Sequence, residues 1–149
     1  MKAKYKHTNI IARDWRALAQ FYRNVFGCVP VPPERNLSGE WLDRGTGVEG
    51  GSFAGTHLRL PGYGPEGPTL EIYQYGYNET KPPAAANREG IMHLAFEVED
   101  VESAVTEVLK HGGCTLGEIT SSEIEGVGWL TFVYLKDPEE NIIELQSWD

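Results

Sequence analysis

The segment Ile91-Met92-His93-Leu94-Ala95-Phe96-Glu97-Val98 is the place to begin reading this chain. Its β-leaning composition predicts a strand, with His93 and Ala95 on one face and Leu94, Phe96 and Val98 on the other. Asp100 follows as a candidate N-cap, and Val101, Ala104, Val105, Val108 and Leu109 form the apolar stripe of a helix that stops at Gly112-Gly113. The same series occurs 93 − 7 = 86 positions earlier. There His7 matches His93, Asp14 matches Asp100, Gly27 matches Gly113 and Cys28 matches Cys114. Four matches at one offset, each at a strand, cap or stop position, predict a duplicated unit.

Working outward, the first copy begins with the short strand Tyr5 to Ala12. Its helix carries Leu18, Phe21, Tyr22 and Val25 at i, i+3, i+4 and i+7 and stops at Gly27, a residue that takes the left-handed conformation cheaply. Cys28 to Val31 reads as a strand closed by Pro32-Pro33, and Phe53 to Leu60 and Thr69 to Tyr75 as two more. In the second copy Gly128 to Leu135 and Asn141 to Trp148 are strands separated by the turn Lys136 to Glu140. Each half is therefore β-α-β-β-β. We expect one α+β domain over 1–149, with module one at about 4–76, a Pro-rich linker at 77–89 and module two at about 90–149. Residues Glu34 to Gly51 form the one long insertion in module one, and long loops are frequently functional.

Length and composition agree with this plan. A chain of 149 residues with 40% apolar and 23% charged residues buries an ordinary globular core without staples. Its formal net charge of −9 makes nucleic acid and anionic membranes poor partners. The acidity belongs to residues 76–149, with 4 basic and 15 acidic side chains, against 9 and 7 in residues 1–75, and reads as a solvated face. The start is Lys-rich, but no apolar run of signal-peptide length follows, and no stretch could cross a bilayer as a helix. The expectation is a soluble cytoplasmic protein. Cys28 and Cys114 make no disulfide framework and are read as small buried structural residues.

Strand alternation sorts the chemistry. His7 shares a face with Tyr5 and Asn9, Glu71 with Tyr73 and Tyr75, and Glu144 with Ile142 and Gln146. The opposite faces are more aliphatic and suit packing against helices. A lone strand histidine or glutamate is ordinarily a surface or satisfied residue. Here the histidine recurs in the opening strand of both copies, and the glutamate in both last strands. Two imidazoles and two carboxylates turned into a concavity are costly to desolvate unpaired. A divalent cation would solve that, because imidazole nitrogen and carboxylate oxygen are both ligands of first-row metals.

Three motifs carry a resemblance to a known family: His7-Thr-Asn-Ile-Ile, Phe21-Tyr-Arg-Asn-Val-Phe-Gly27 and His93-Leu-Ala-Phe-Glu-Val-Glu-Asp100. A fourth, Asp137-Pro-Glu-Glu-Asn-Ile-Ile-Glu-Leu145, is similar to a terminal Asp-Pro-x-Gly-Asn-x-x-Glu-Leu signature. Together they resemble the vicinal oxygen chelate superfamily over nearly the whole chain. The resemblance implies paired βαβββ modules that form an open, barrel-like curved sheet around one divalent metal ion (Zn, Ni, Co, Mn or Fe). By motif position His7, Glu71, His93 and Glu144 match the ligand set of glyoxalase I. In the similar methylmalonyl-CoA epimerase the position of Glu71 is commonly Gln, and extradiol dioxygenases lack that ligand. Glu71 thus tilts the expectation towards lyase or isomerase chemistry on a small-molecule substrate. Such a metal polarises a carbonyl and stabilises the enediolate formed on proton loss, with Glu144 as first candidate for the base and Glu71 as its partner. The alternatives are an extradiol-type dioxygenase and a bleomycin-resistance-like protein that sequesters a basic drug.

Tyr73, Tyr75, Trp41 and Arg13 are weaker candidates for substrate binding, with core packing or solvated surface as their ordinary roles. His57 and His111 have no repeat partner in a ligand position and are set aside. The resemblance also implies a homodimer. The chain departs from the family pattern at Glu140, where Gly is usual, and in the insertion Glu34 to Gly51.

Overall fold

A computed structural model describes all residues, Met1–Asp149, as two compact units, Met1–Thr80 and Lys81–Asp149. The architecture is α+β, with two mixed sheets and three helices.

Module one contains β1 (His7–Ile11), α1 (Trp15–Phe26), β2 (Val29–Ser38), α2 (Glu40–Thr46), β3 (Ser52–Arg59) and β4 (Thr69–Tyr75). The sheet order is β1-β4-β3-β2, with β1 parallel to β4 and the other pairs antiparallel. Helix α1 starts where the Asp14 carboxylate accepts from the Arg16 and Ala17 amides, both at 3.0 Å, which satisfies two donors without an intrahelical partner. It ends at Gly27, whose φ of 67° is cheap only for a residue without a Cβ. Between these stops Trp15, Leu18, Ala19, Phe21 and Tyr22 are buried, and the helix packs on β3 and β4. The sheet residues turned the same way, Leu58, Leu70 and Ile72, are wholly buried. At roughly 25 cal/mol per Å² of apolar surface, this interface is the main stabilising element of the module. It also dictates that the alternate residues Phe53, Gly55, His57, Glu71 and Tyr73 emerge on the other face of the sheet.

Module two contains β5 (His93–Glu97), α3 (Val101–Lys110), β6 (Cys114–Thr115), β7 (Thr120–Ile124), β8 (Gly128–Lys136) and β9 (Ile142–Trp148). Strand β5 runs parallel to β9, β9 is antiparallel to β8, and both β6 and β7 pair with β8. Asp100 caps α3 through the Glu102 amide at 3.1 Å. Val101 and Val108 are buried with Val133, Leu135, Ile143 and Leu145. Sidedness is again set by the helix, and Glu144 lies on the face opposite Ile143 and Leu145.

Several local expectations need correction. Strand β2 does not close at Pro32-Pro33 but continues to Ser38, through a cis Pro32–Pro33 bond and a register irregularity. Proline lacks an amide donor, and β2 tolerates it because it is the edge strand. The stretch Glu34 to Gly51 is accordingly the rest of β2 plus the short helix α2 rather than an open loop. Asp43 closes the turn that follows by accepting from the Gly50 and Gly51 amides at 2.9 and 3.0 Å. The left-handed residue after α3 is Gly112, with φ of 91°, not Gly113. Gly113 has a different reason to lack a side chain: a Cβ there would stand 2.5 Å from Val108 and 2.7 Å from the Lys136 carbonyl. Cys28 is buried as expected, whereas Cys114 is exposed. The strand Thr120–Ile124 has no counterpart in the sequence reading.

Candidate functional site

The parallel ladders place the repeated residues. In module one His7 pairs with Thr69, and in module two His93 pairs with Ile142. In each case the glutamate sits two residues further along the partner strand, at 69 + 2 = 71 and 142 + 2 = 144. A step of two residues returns to the same face, so imidazole and carboxylate meet. His7 Nδ1 is 3.1 Å from Glu71 Oε1, and His93 Nε2 is 3.0 Å from Glu144 Oε2. Each pair is built wholly within its own module. The carboxylates are nearly enclosed, at 10% and 13% side-chain exposure, while His7 and His93 keep 48% and 32%. Within neither module do three or more His, Cys, Asp or Glu side chains gather into a group able to hold a metal ion.

The surroundings of the two carboxylates differ. The antiparallel β3–β4 ladder sets His57 directly opposite Glu71. His57 Nε2 lies 3.4 Å from Glu71 Oε1 and 2.5 Å from the Tyr73 hydroxyl. Tyr73 is two residues beyond Glu71 on the same face. Burial, together with the neighbouring Glu71 carboxylate, pushes the Tyr73 hydroxyl pKa up to about 12. His57 titrates lower than an ordinary imidazole because burial disfavours its cation, an effect that Glu71 opposes and Arg35 and His7 reinforce. In module two the matching place on β8 is taken by Tyr134, opposite Glu144. Its ring centroid is 5.0 Å from that of His93, and its hydroxyl pKa is raised by burial and by the Glu144 charge.

Gly55 makes the first arrangement possible. A Cβ at that position would stand 2.1 Å from the Ile72 carbonyl and 2.3 Å from the Tyr73 ring. Without one, Tyr73 lies across β3, stacks on Phe53 at 4.3 Å between centroids and reaches His57.

Of the predicted residues, His7, Glu71 and Tyr73 therefore come together in one module and His93 and Glu144 in the other. Tyr75 lies beside this group and packs on Phe53 at 5.2 Å. Trp41 is 58% exposed on α2 with its ring near Gly39, and Arg13 is exposed between β1 and α1. Neither is among the partners of Glu71. His57 and Tyr134 are the residues missed from the sequence. The signal that finds them is cross-strand register rather than repeat position.

Comparison with known proteins agrees with this architecture. The family model described as the Glyoxalase/Bleomycin resistance protein/Dioxygenase superfamily matches residues 4–145, and the chain belongs to that superfamily. A glyoxalase family protein from Bacillus cereus is similar in structure, with a TM-score of 0.75, 20% identity, and 99% of this chain and 94% of that one covered. A glyoxalase/bleomycin resistance protein/dioxygenase family enzyme from Burkholderia phytofirmans gives a TM-score of 0.65 at 16% identity, covering 99% and 100%. The fosfomycin resistance protein FosX from Listeria monocytogenes, whose structure is complexed with Mn(II) and sulfate, gives 0.56 at 12% identity, covering 100% and 95%. No protein of curated function matches the sequence. No helix is long and apolar enough to cross a membrane.

Proposed function

We propose that this protein is a metal-dependent lyase or isomerase of the glyoxalase I or methylmalonyl-CoA epimerase type, which moves a proton beside a carbonyl. The observation that carries the reading is the twice-built His–Glu pair, with nitrogen–oxygen separations of 3.1 and 3.0 Å. The donors fit a divalent cation. Imidazole nitrogen and carboxylate oxygen both ligate first-row metals. His7 and Glu71 in module one, and His93 and Glu144 in module two, are the residues that would hold such an ion. Bound there, it would act as a Lewis acid, polarising a substrate carbonyl and easing proton loss from the adjacent carbon.

The chain's own residues supply the rest. Glu144, with His93 as its one ion-pair partner, is the proposed base that takes and returns the proton. Glu71 is its pseudo-symmetric counterpart in module one. Their low exposure keeps water from competing for the proton. Tyr73, Tyr75 and Phe53 offer an aromatic surface for the substrate's apolar part, and Trp41 and Arg13 would contribute only at its margin. We expect a small-molecule substrate and a homodimer.

The test is deuterium exchange. Metal-loaded protein in heavy water is incubated with carbonyl compounds carrying an adjacent C–H, coenzyme A thioesters among them, and exchange is followed by proton NMR. Exchange that is present in the wild type and absent in a folded Glu144→Gln variant supports the proposal. Tight binding of a basic drug with no exchange in any compound contradicts it and favours the sequestering alternative. Oxygen uptake on catechols with ferrous iron would favour the dioxygenase.

A further inference from the structure

We infer that His57 is a positioning residue that, with Tyr73, holds Glu71 in one orientation, so that Glu71 is the fixed carboxylate of the pair and Glu144 the movable one. This rests on the metal site proposed above. The two otherwise matching modules are asymmetric around their carboxylates. Glu71 meets two imidazoles, His7 Nδ1 at 3.1 Å and His57 Nε2 at 3.4 Å, and His57 is itself held by the Tyr73 hydroxyl at 2.5 Å. Because His57 Nε2 faces the Glu71 carboxylate as well as the Tyr73 oxygen, a proton on that nitrogen serves both. Reorienting a carboxylate held by both imidazoles would break two contacts in a nearly dry setting. Glu144 has one partner within ion-pair distance, His93 at 3.0 Å. At the β8 position matching His57, module two carries Tyr134. Reorientation of Glu144 breaks one contact, which is what a base that must leave its resting place requires. The assignment also explains why the His57 position lacks a repeat partner: the two carboxylates have different tasks.

Outer partners that orient a metal ligand are worth roughly 10–100-fold in metal affinity. The experiment is titration of the metal-free 149-residue protein with cobalt(II), followed by calorimetry and visible absorbance. His57→Ala is expected to bind cobalt about 10–100-fold more weakly. His57→Gln, whose amide N–H still reaches Glu71, is expected to recover most of that loss. On a Glu71→Ala background the His57→Ala change is expected to have no further effect, because the carboxylate it orients is gone. His57→Asn, too short to bridge the gap, carries the same comparison should His57→Ala not fold. Wild-type affinity in His57→Ala or His57→Asn, or equal losses in His57→Ala and His57→Gln, would overturn this inference and leave the proposed function standing. A wild-type protein that takes up no cobalt would overturn both.

Discussion

His7 Nδ1 lies 3.1 Å from Glu71 Oε1, and each residue owes its place to a parallel strand pair that joins the start of module one to its end. His93 and Glu144 repeat the relationship at 3.0 Å from the opposite ring nitrogen. The two modules share the register and the residue types and differ in what surrounds the carboxylate. Module one adds His57 and Tyr73, and module two has Tyr134 opposite Glu144.

The close approach at Gly55 yields a stability prediction. A methyl group there meets the Ile72 carbonyl and the Tyr73 ring well inside contact distance. Gly55→Ala is expected to cost about 1–3 kcal/mol, the usual penalty for overpacking, and to displace Tyr73 from His57. Urea unfolding measures the first effect. An unchanged midpoint would show that the sheet accommodates a Cβ and that the stacking of Tyr73 on Phe53 is not tight.

Glu140 yields the opposite sign. It is the one non-glycine residue with positive φ, at 66°, in the turn where Asp137 accepts from the Glu139 and Asn141 amides at 2.8 and 2.9 Å. Left-handed conformation costs an ordinary residue about 1–2 kcal/mol, and the extra freedom of glycine in the unfolded chain returns about 0.4–1. Glu140→Gly should therefore stabilise by roughly 0.5–1 kcal/mol. The Lys136–Glu140 ion pair, 3.6 Å apart at the surface, contributes little against this. Thermal unfolding of the variant at neutral pH is the check.

The two cysteines should separate by reactivity. Burial raises the Cys28 thiol from 9.0 to about 11, whereas Cys114 is exposed. Only thiolate reacts. At mildly alkaline pH a maleimide should label Cys114 quickly and Cys28 only after denaturation, which peptide mass spectrometry would show. The linkage has a definite sign. A folded-state pKa above the unfolded value gives a contribution fully present below pH 9.0 and lost as pH rises through about 11. Alkaline stability should fall less steeply over that window in Cys28→Ala, and equal labelling of both thiols in the native protein would contradict the burial.

The route from sequence to site was legible where it depended on local periodicity. Strand alternation puts Glu71 and Tyr73 on one face, and the repeat aligns His7 with His93. Both inferences need only a few neighbouring residues. His57 was not legible, because its meeting with Glu71 depends on the β3–β4 register across the connection Leu60 to Pro68, and register is a tertiary property. Pro32-Pro33 signals an end to β2 in the sequence, and only sheet order reveals an edge strand that needs no amide there. Cys114 matched Cys28 in repeat position but not in burial, since β6 is two residues long and leaves it uncovered. Repeat symmetry thus transmits backbone register more faithfully than environment.

Metal stoichiometry tests the central claim most directly. Purified protein loaded with cobalt, nickel, manganese or zinc and freed of excess would be assayed by elemental analysis beside a folded His7→Ala, His93→Ala double variant. We predict close to one metal per chain in the wild type for at least one of these ions, and none retained by the double variant. Full occupancy in the double variant, or no retained metal in the wild type with any of the four, would contradict the assignment of His7, Glu71, His93 and Glu144 as a metal site.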